Sequence, residues 1–270
     1  MACSSTGNGN KFLSNDSDHS PNVFVVWLLP SNEAKLYDRL QDCINKLAKE
    51  NSTPTFVPHI TVCGAIHQLE AEEICNRVRE VVVAVASESG SGCNGGGSNQ
   101  NRGPLLDLDF VSVGSQENFW AQDLYLEVKQ TEPFLSLTRK VQEKLLSSST
   151  TGERERSLFA PPCTVPHLSL LYPKGGHSEL EVLDGAEGEK PEDAPALMKI
   201  RTFYTQLRER IKEEFLAKDD GSASSSASSV GEDCLAVVQI GGRTAEGVNI
   251  SRGWQGIPDW KIVEKIPLKP

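Results

Sequence analysis

The chain has 270 residues, 38% of them hydrophobic and 24% charged, a balance that supports a folded core and excludes a fibrous or wholly disordered protein. A formal net charge of -10 provides no basic surface of the kind that grips long nucleic acid through its phosphates, and leaves room for a small anionic substrate held by a few local groups. Seven cysteines, an odd number with no C-x-x-C pair, fit reduced thiols in a cytoplasmic protein better than a disulfide framework or a zinc knuckle.

Residues 1–21 are polar and lack the basic start and apolar centre of a signal peptide, so a disordered tail is expected. Val23 to Leu29 reads as a strand, far shorter than the ~20 residues that span a bilayer, and no membrane partner is expected. Ser31 has the chemistry of a helix N-cap, and Leu36, Leu40, Ile44 and Leu47 follow at helical spacing. Next come a strand through "TFVPHITVCGAI" (Thr55 to Ile66) and a helix from Leu69 to Ala86. "PLLDLDFVSVG" and "DLYLEVKQ" alternate as paired strands, and a helix is predicted from Pro133 to Leu146. The strand "VPHLSLLYP", a helix from Leu197 to Lys218 with Ile200, Phe203, Leu207, Ile211 and Phe215 on its apolar face, the strand "CLAVVQI" and a final segment around Trp260 complete the order. Residues 22–270 thus form one domain, with mobile insertions expected near 88–103, 177–195 and 219–233, where Gly, Ser, Asn and acidic residues dominate.

One internal echo carries the chemistry. "VPHITV" at Val57 to Val62 recurs as "VPHLSL" at Val165 to Leu170, 108 positions on. Strand side chains alternate, so His59 shares a face with Thr61 and Cys63, and His167 shares one with Ser169. A lone histidine in an apolar strand is usually a hydrogen-bonded core residue, and a lone threonine there is ordinary. The repeated offset is what favours a site. Two imidazoles and two hydroxyls suit displacement at phosphorus: one imidazole takes a proton from water, the other protonates the departing oxygen, and the hydroxyls hold the non-bridging oxygens. No three-ligand zinc cluster is apparent, so neither metal nor cofactor is expected. Trp27, Trp120, Trp254 and Trp260 offer faces for stacking a base, with core packing the plainer reading for Trp27.

The doubled H-x-[ST] pattern, "VPHITVCGAI" and "HLSLLY", together with "VWLLP", "LYLEVKQT" and "DWKIVEKIPL", resembles the two-histidine (2H) phosphoesterase superfamily, and within it the cyclic phosphodiesterases of fungi and plants. The resemblance implies an α+β fold of two pseudo-symmetric lobes, each with an antiparallel sheet flanked by helices, and an active-site cleft between them. It implies metal-independent hydrolysis of 2',3'-cyclic nucleotides to 2'-phosphates and of ADP-ribose 1'',2''-cyclic phosphate to ADP-ribose 1''-phosphate, by-products of RNA and tRNA splicing. Carried over by position, His59 and His167 are the acid/base pair, Thr61 and Ser169 hold the phosphate, and Tyr172 contacts substrate. Strict alternation places Tyr172 on the opposite face from His167, so a bend at the strand end is required. A monomer acting on a small cyclic phosphate is expected. The alternatives are a two-histidine enzyme that works on RNA ends, like the 2'-5' RNA ligases, and a non-catalytic nucleotide-binding module.

Overall fold

The computed structural model describes residues 22–31, 35–67, 69–90, 108–115, 124–146, 166–172, 194–216, 233–243, 249–250 and 254–268. The predicted N-terminal tail, most of each predicted insertion and Trp120 lie outside the described residues, as does the side chain of Trp254. The fold is α+β. Strands β1 (Val23–Leu29), β2 (Ile60–Ile66), β3 (Phe110–Gly114), β4 (Leu124–Val128), β5 (His167–Leu171), β6 (Cys234–Arg243), β7 (Asn249–Ile250) and β8 (Lys261–Pro267) form an antiparallel sheet in the order β3-β4-β5-β2-β1-β6. β6 pairs in turn with β8 and, at its far end, with the two-residue β7.

Helices α1 (Lys35–Asn51), α2 (Ala71–Gly90), α3 (Glu132–Leu146) and α4 (Ala194–Phe215) all cover one face of this sheet. α1 lies against β5, α3 against β2, α2 against β6 and β8, and α4 against β3. Leu40, Ile44 and Leu47 of α1 meet Ile74 and Val78 of α2, Leu137 and Val141 of α3 and Ile211 of α4 over Val26, Leu28, Ile60, Leu126 and Leu168 of the sheet. Each such buried aliphatic side chain contributes roughly 1.5–3 kcal/mol. β1 shows no polar alternation because both its faces are covered: Val25, Trp27 and Leu29 form a second buried cluster with Ala236 and Val238 on the side away from the helices.

Element ends differ from expectation by a few residues. α2 continues past Ala86 to Gly90, so the insertion predicted from residue 88 begins with a helical turn, and Pro195 of the second predicted insertion already belongs to α4. Phe203, expected on the apolar face of α4, is 42% exposed, because the stretch that packs against β3 runs through Leu207 and Ile211. Cys43, Cys63, Cys75 and Cys234 are free thiols. No helix among the described residues is long and apolar enough to cross a membrane.

The registers on the two sides of the β2–β5 junction match. Val26, Trp27 and Leu28 of β1 pair with Cys63, Thr61 and Ile60, while Leu124, Tyr125 and Leu126 of β4 pair with Leu171, Ser169 and Leu168. β2 and β5 meet through Ile60 opposite Leu168, and each strand carries a bulge immediately after its hydroxyl residue.

Candidate active site

The sheet face away from the helices holds the polar residues of both motifs. Continuing the Ile60–Leu168 register by one residue in each direction sets His59 beside Ser169 and Thr61 beside His167, all on one face. The two histidines therefore lie on one diagonal of a four-residue patch and the two hydroxyls on the other; such diagonals span about 7–8 Å between Cα atoms. His59, His167 and Ser169 are buried and Thr61 is half-buried. Pro58 and Pro166 stand just before their histidines, and the Pro166 carbonyl accepts the Val128 N–H at 2.8 Å.

The two bulges redirect the chain after each hydroxyl. In β2 both Val62 and Cys63 turn toward the helices, so Cys63 leaves the face of His59 and Thr61, contrary to strict alternation. Burial pushes its thiol up to about 12. Gln142 of α3 donates to the Val62 carbonyl at 3.0 Å, satisfying a backbone group at the bulge. In β5 the register skips Leu170, which changes the parity by one; Tyr172, though packed in the same buried cluster as Leu170 and Leu171, turns its hydroxyl toward the patch. The Tyr172 hydroxyl lies 3.3 Å from His59 Nε2. The bend that alternation demanded of Tyr172 is thus supplied by an extra strand residue.

His59 sits in an aromatic enclosure. The Trp27 indole stacks on it with centroids 3.8 Å apart and planes 18° apart, and the Phe56 ring meets it edge-on at 5.9 Å. Tyr172 packs on Phe56 at 4.5 Å and meets Trp260 at 5.9 Å, closing the same side. Nδ1–H donates to the Val57 carbonyl at 2.7 Å, a bond that fixes the tautomer and leaves Nε2 as the acceptor facing Tyr172. Burial lowers the His59 pKa to about 4; the Val57 bond opposes this, and the nearby His167 adds to it. His59 is therefore a neutral imidazole at neutral pH.

His167 has different neighbours. The Tyr125 ring meets it edge-on at 5.1 Å, and Glu127 is its register partner on β4. Tyr125 lies over Gly114, where an added Cβ would stand 2.3 Å from the ring, so a larger residue there would have to displace the Tyr125 ring. Burial, then the Glu127 charge, raises the Tyr125 hydroxyl above its ordinary pKa. Sequence reasoning misses Tyr125, Glu127 and Phe56 as site-face residues. The signal for the first two is present in "DLYLEVKQ", whose Leu124, Leu126 and Val128 take the core and leave Tyr125 and Glu127 opposite. His67 is exposed just beyond β2, away from the patch.

Among the described residues no three His, Cys, Asp or Glu side chains gather as metal ligands. What the patch offers is a neutral imidazole, a second imidazole across a diagonal, and two hydroxyls that can donate to an anion between them. No curated protein matches the chain in a sequence comparison. The model of one family, described as cyclic phosphodiesterase-like protein, matches residues 23–185 and so covers both motif strands and the aromatic strands beside them. With more than half its length matched, including every residue of the patch, the chain belongs to the cyclic phosphodiesterase-like family.

Proposed function

We propose that this protein hydrolyses small ribose cyclic phosphates, taking 2',3'-cyclic nucleotides to 2'-phosphates and ADP-ribose 1'',2''-cyclic phosphate to ADP-ribose 1''-phosphate, without a metal ion. The observation that carries this reading is the diagonal placement of two histidines and two hydroxyls around the Ile60–Leu168 pair. A phosphorus atom centred over that pair has an imidazole on either side, the arrangement that in-line displacement needs. The matching registers of β1–β2 and β4–β5 support a two-lobed reading, with a local twofold through the same pair and one histidine from each lobe.

Each group of the patch has one task. Water attacks phosphorus and gives its proton to Nε2 of His59, which is neutral and held in the required tautomer. The bond from phosphorus to one ribose oxygen breaks, and that oxygen takes a proton from His167. Thr61 and Ser169 donate to the non-bridging oxygens, whose charge is redistributed as the geometry at phosphorus changes. Solvent then removes the proton from His59 and returns one to His167. At 3.3 Å the Tyr172 hydroxyl is at the long end of hydrogen bonding to His59, which frees it to turn to substrate. The acidic chain fits a small by-product of RNA processing better than long RNA.

Purified protein should open a nucleoside 2',3'-cyclic phosphate to the 2'-phosphate, with the same rate in EDTA. Cleavage or joining of RNA ends without turnover of the mononucleotide would point to the RNA-end chemistry instead, and binding without turnover would leave a nucleotide-binding module.

A further inference from the structure

The registers that relate the two motifs also show where they differ. Glu127 is the Cα partner of His167. The corresponding neighbour of His59, one residue beyond Leu28 opposite Ile60, is Leu29, a buried aliphatic side chain. His167 thus has a glutamate as its register partner on the next strand, and His59 has a leucine. Glutamate is a poor strand former, and nothing in the packing of β4 calls for it, since Leu124, Leu126 and Val128 make the core.

The carboxylate is anchored from the β3 side of β4, leaving its second oxygen for a partner. Ser112, its register partner on β3, donates its hydroxyl to Glu127 Oε2 at 2.5 Å. Register partners carry their Cβ atoms about 4.5–5.5 Å apart, so the Glu127 and His167 side chains leave the sheet side by side. Among the described residues, strand register places around His167 Thr61 of β2 and, across the diagonal, His59 just before it, Ser169 on its own strand, and Tyr125 and Glu127 on β4; the helices lie behind the sheet. Among these described neighbours Glu127 is the one anion.

We propose that Glu127 is a positioning residue that holds His167 in its protonated, correctly turned form and thereby makes His167 the proton donor of the pair. The proposal rests on the two-histidine reading and supplies a physical cause for the assignment of His167 as the acid. An opposite charge within about 4–6 Å favours the charged form of a titrating group, and a carboxylate oxygen that accepts from imidazolium also fixes the ring's orientation.

The test follows the imidazole resonances of the full chain by NMR from pH 4 to 9, with the His167 signal identified by its loss in His167→Ala. In the wild type His167 should titrate at or above the ordinary value of about 6.5. In Glu127→Gln its midpoint should fall by about one pH unit, and Glu127→Asp should restore most of the difference. The alkaline limb of kcat/KM should move down with it, because that limb reports the proton donor. An unchanged His167 midpoint in folded Glu127→Gln would overturn the proposal. So would a wild-type midpoint well below 6.5, which needs no variant to fold. The titration does not depend on turnover: a chain that hydrolyses no cyclic phosphate would defeat the functional reading while the NMR result still decides the role of Glu127.

Discussion

The half of the sheet that carries His59 and the half that carries His167 share a register and differ in what surrounds the imidazole. Each motif strand has its histidine at the start, its hydroxyl two residues on and a bulge directly after, and each is flanked by a strand with an aromatic residue opposite the hydroxyl, Trp27 or Tyr125. Around His59 the walls are indole, phenyl and phenol, and burial lowers the pKa to about 4. Around His167 the next strand presents Tyr125 edge-on and Glu127 in register. Under the proposed function, the duplicated geometry would place two like groups on either side of one phosphorus atom, and unlike surroundings would set their proton affinities apart, which is what separates a base from an acid at one pH.

Removing either imidazole is the harshest way to break the comparison. His59→Ala and His167→Ala should each lower kcat by ~10²- to 10⁴-fold in a folded protein, measured as turnover of a nucleoside 2',3'-cyclic phosphate alongside circular dichroism. Near-normal turnover in either variant would remove that histidine from the chemistry.

The enclosure of His59 has a stability signature of its own. Between pH 6.5 and about 4 the unfolded chain binds a proton on this imidazole that the folded protein excludes, so stability is fully present above pH 6.5 and falls as pH drops toward 4. The difference amounts to about 3 kcal/mol at its limit, at ~1.4 kcal/mol per pH unit. In His59→Phe, which fills the same slot without titrating, urea melts should lose that part of the pH dependence. A variant as acid-sensitive as the wild type would place the burden on other groups.

A smaller effect belongs to the hydroxyl diagonal. Thr61→Ala and Ser169→Ala should each slow kcat by at least about tenfold, the worth of a hydrogen bond to a charged group, with melting temperature little changed. Equal effects from the two would extend the match between the halves to their phosphate contacts. If only Ser169→Ala is slow, the half-buried Thr61 is a strand residue and the patch has one phosphate donor.

Much of this is legible in the sequence because it depends on short-range pattern. The echo of "VPHITV" and "VPHLSL" names both histidines and both hydroxyls, and the 3.6-residue period of Leu40, Ile44 and Leu47 places α1. Bulges are another matter: an extra residue leaves no mark in an alternating apolar strand, since Val62 and Cys63, or Leu170 and Leu171, read equally well on either face. That is why alternation sets Cys63 beside His59 although it lies in the core, and sets Tyr172 on the wrong face although it reaches His59. The neighbours Trp27, Tyr125 and Glu127 depend on which strands lie side by side, a long-range fact set by the pairing of β1 with β2, of β4 with β5 and of β2 with β5. Periodicity carries no such information.

The claim that surroundings divide two like histidines into base and acid is tested most directly by the pH dependence of kcat/KM for a nucleoside 2',3'-cyclic phosphate, recorded in EDTA for the wild type, His59→Ala and His167→Ala. The wild type should trace a bell, with macroscopic limbs that belong to the coupled pair and an acidic limb depressed toward pH 4. The residual rate of His59→Ala should lose the acidic limb, and that of His167→Ala the alkaline one. Loss of the acidic limb in His167→Ala instead, or a rate abolished by EDTA and restored by a divalent ion, would contradict the claim.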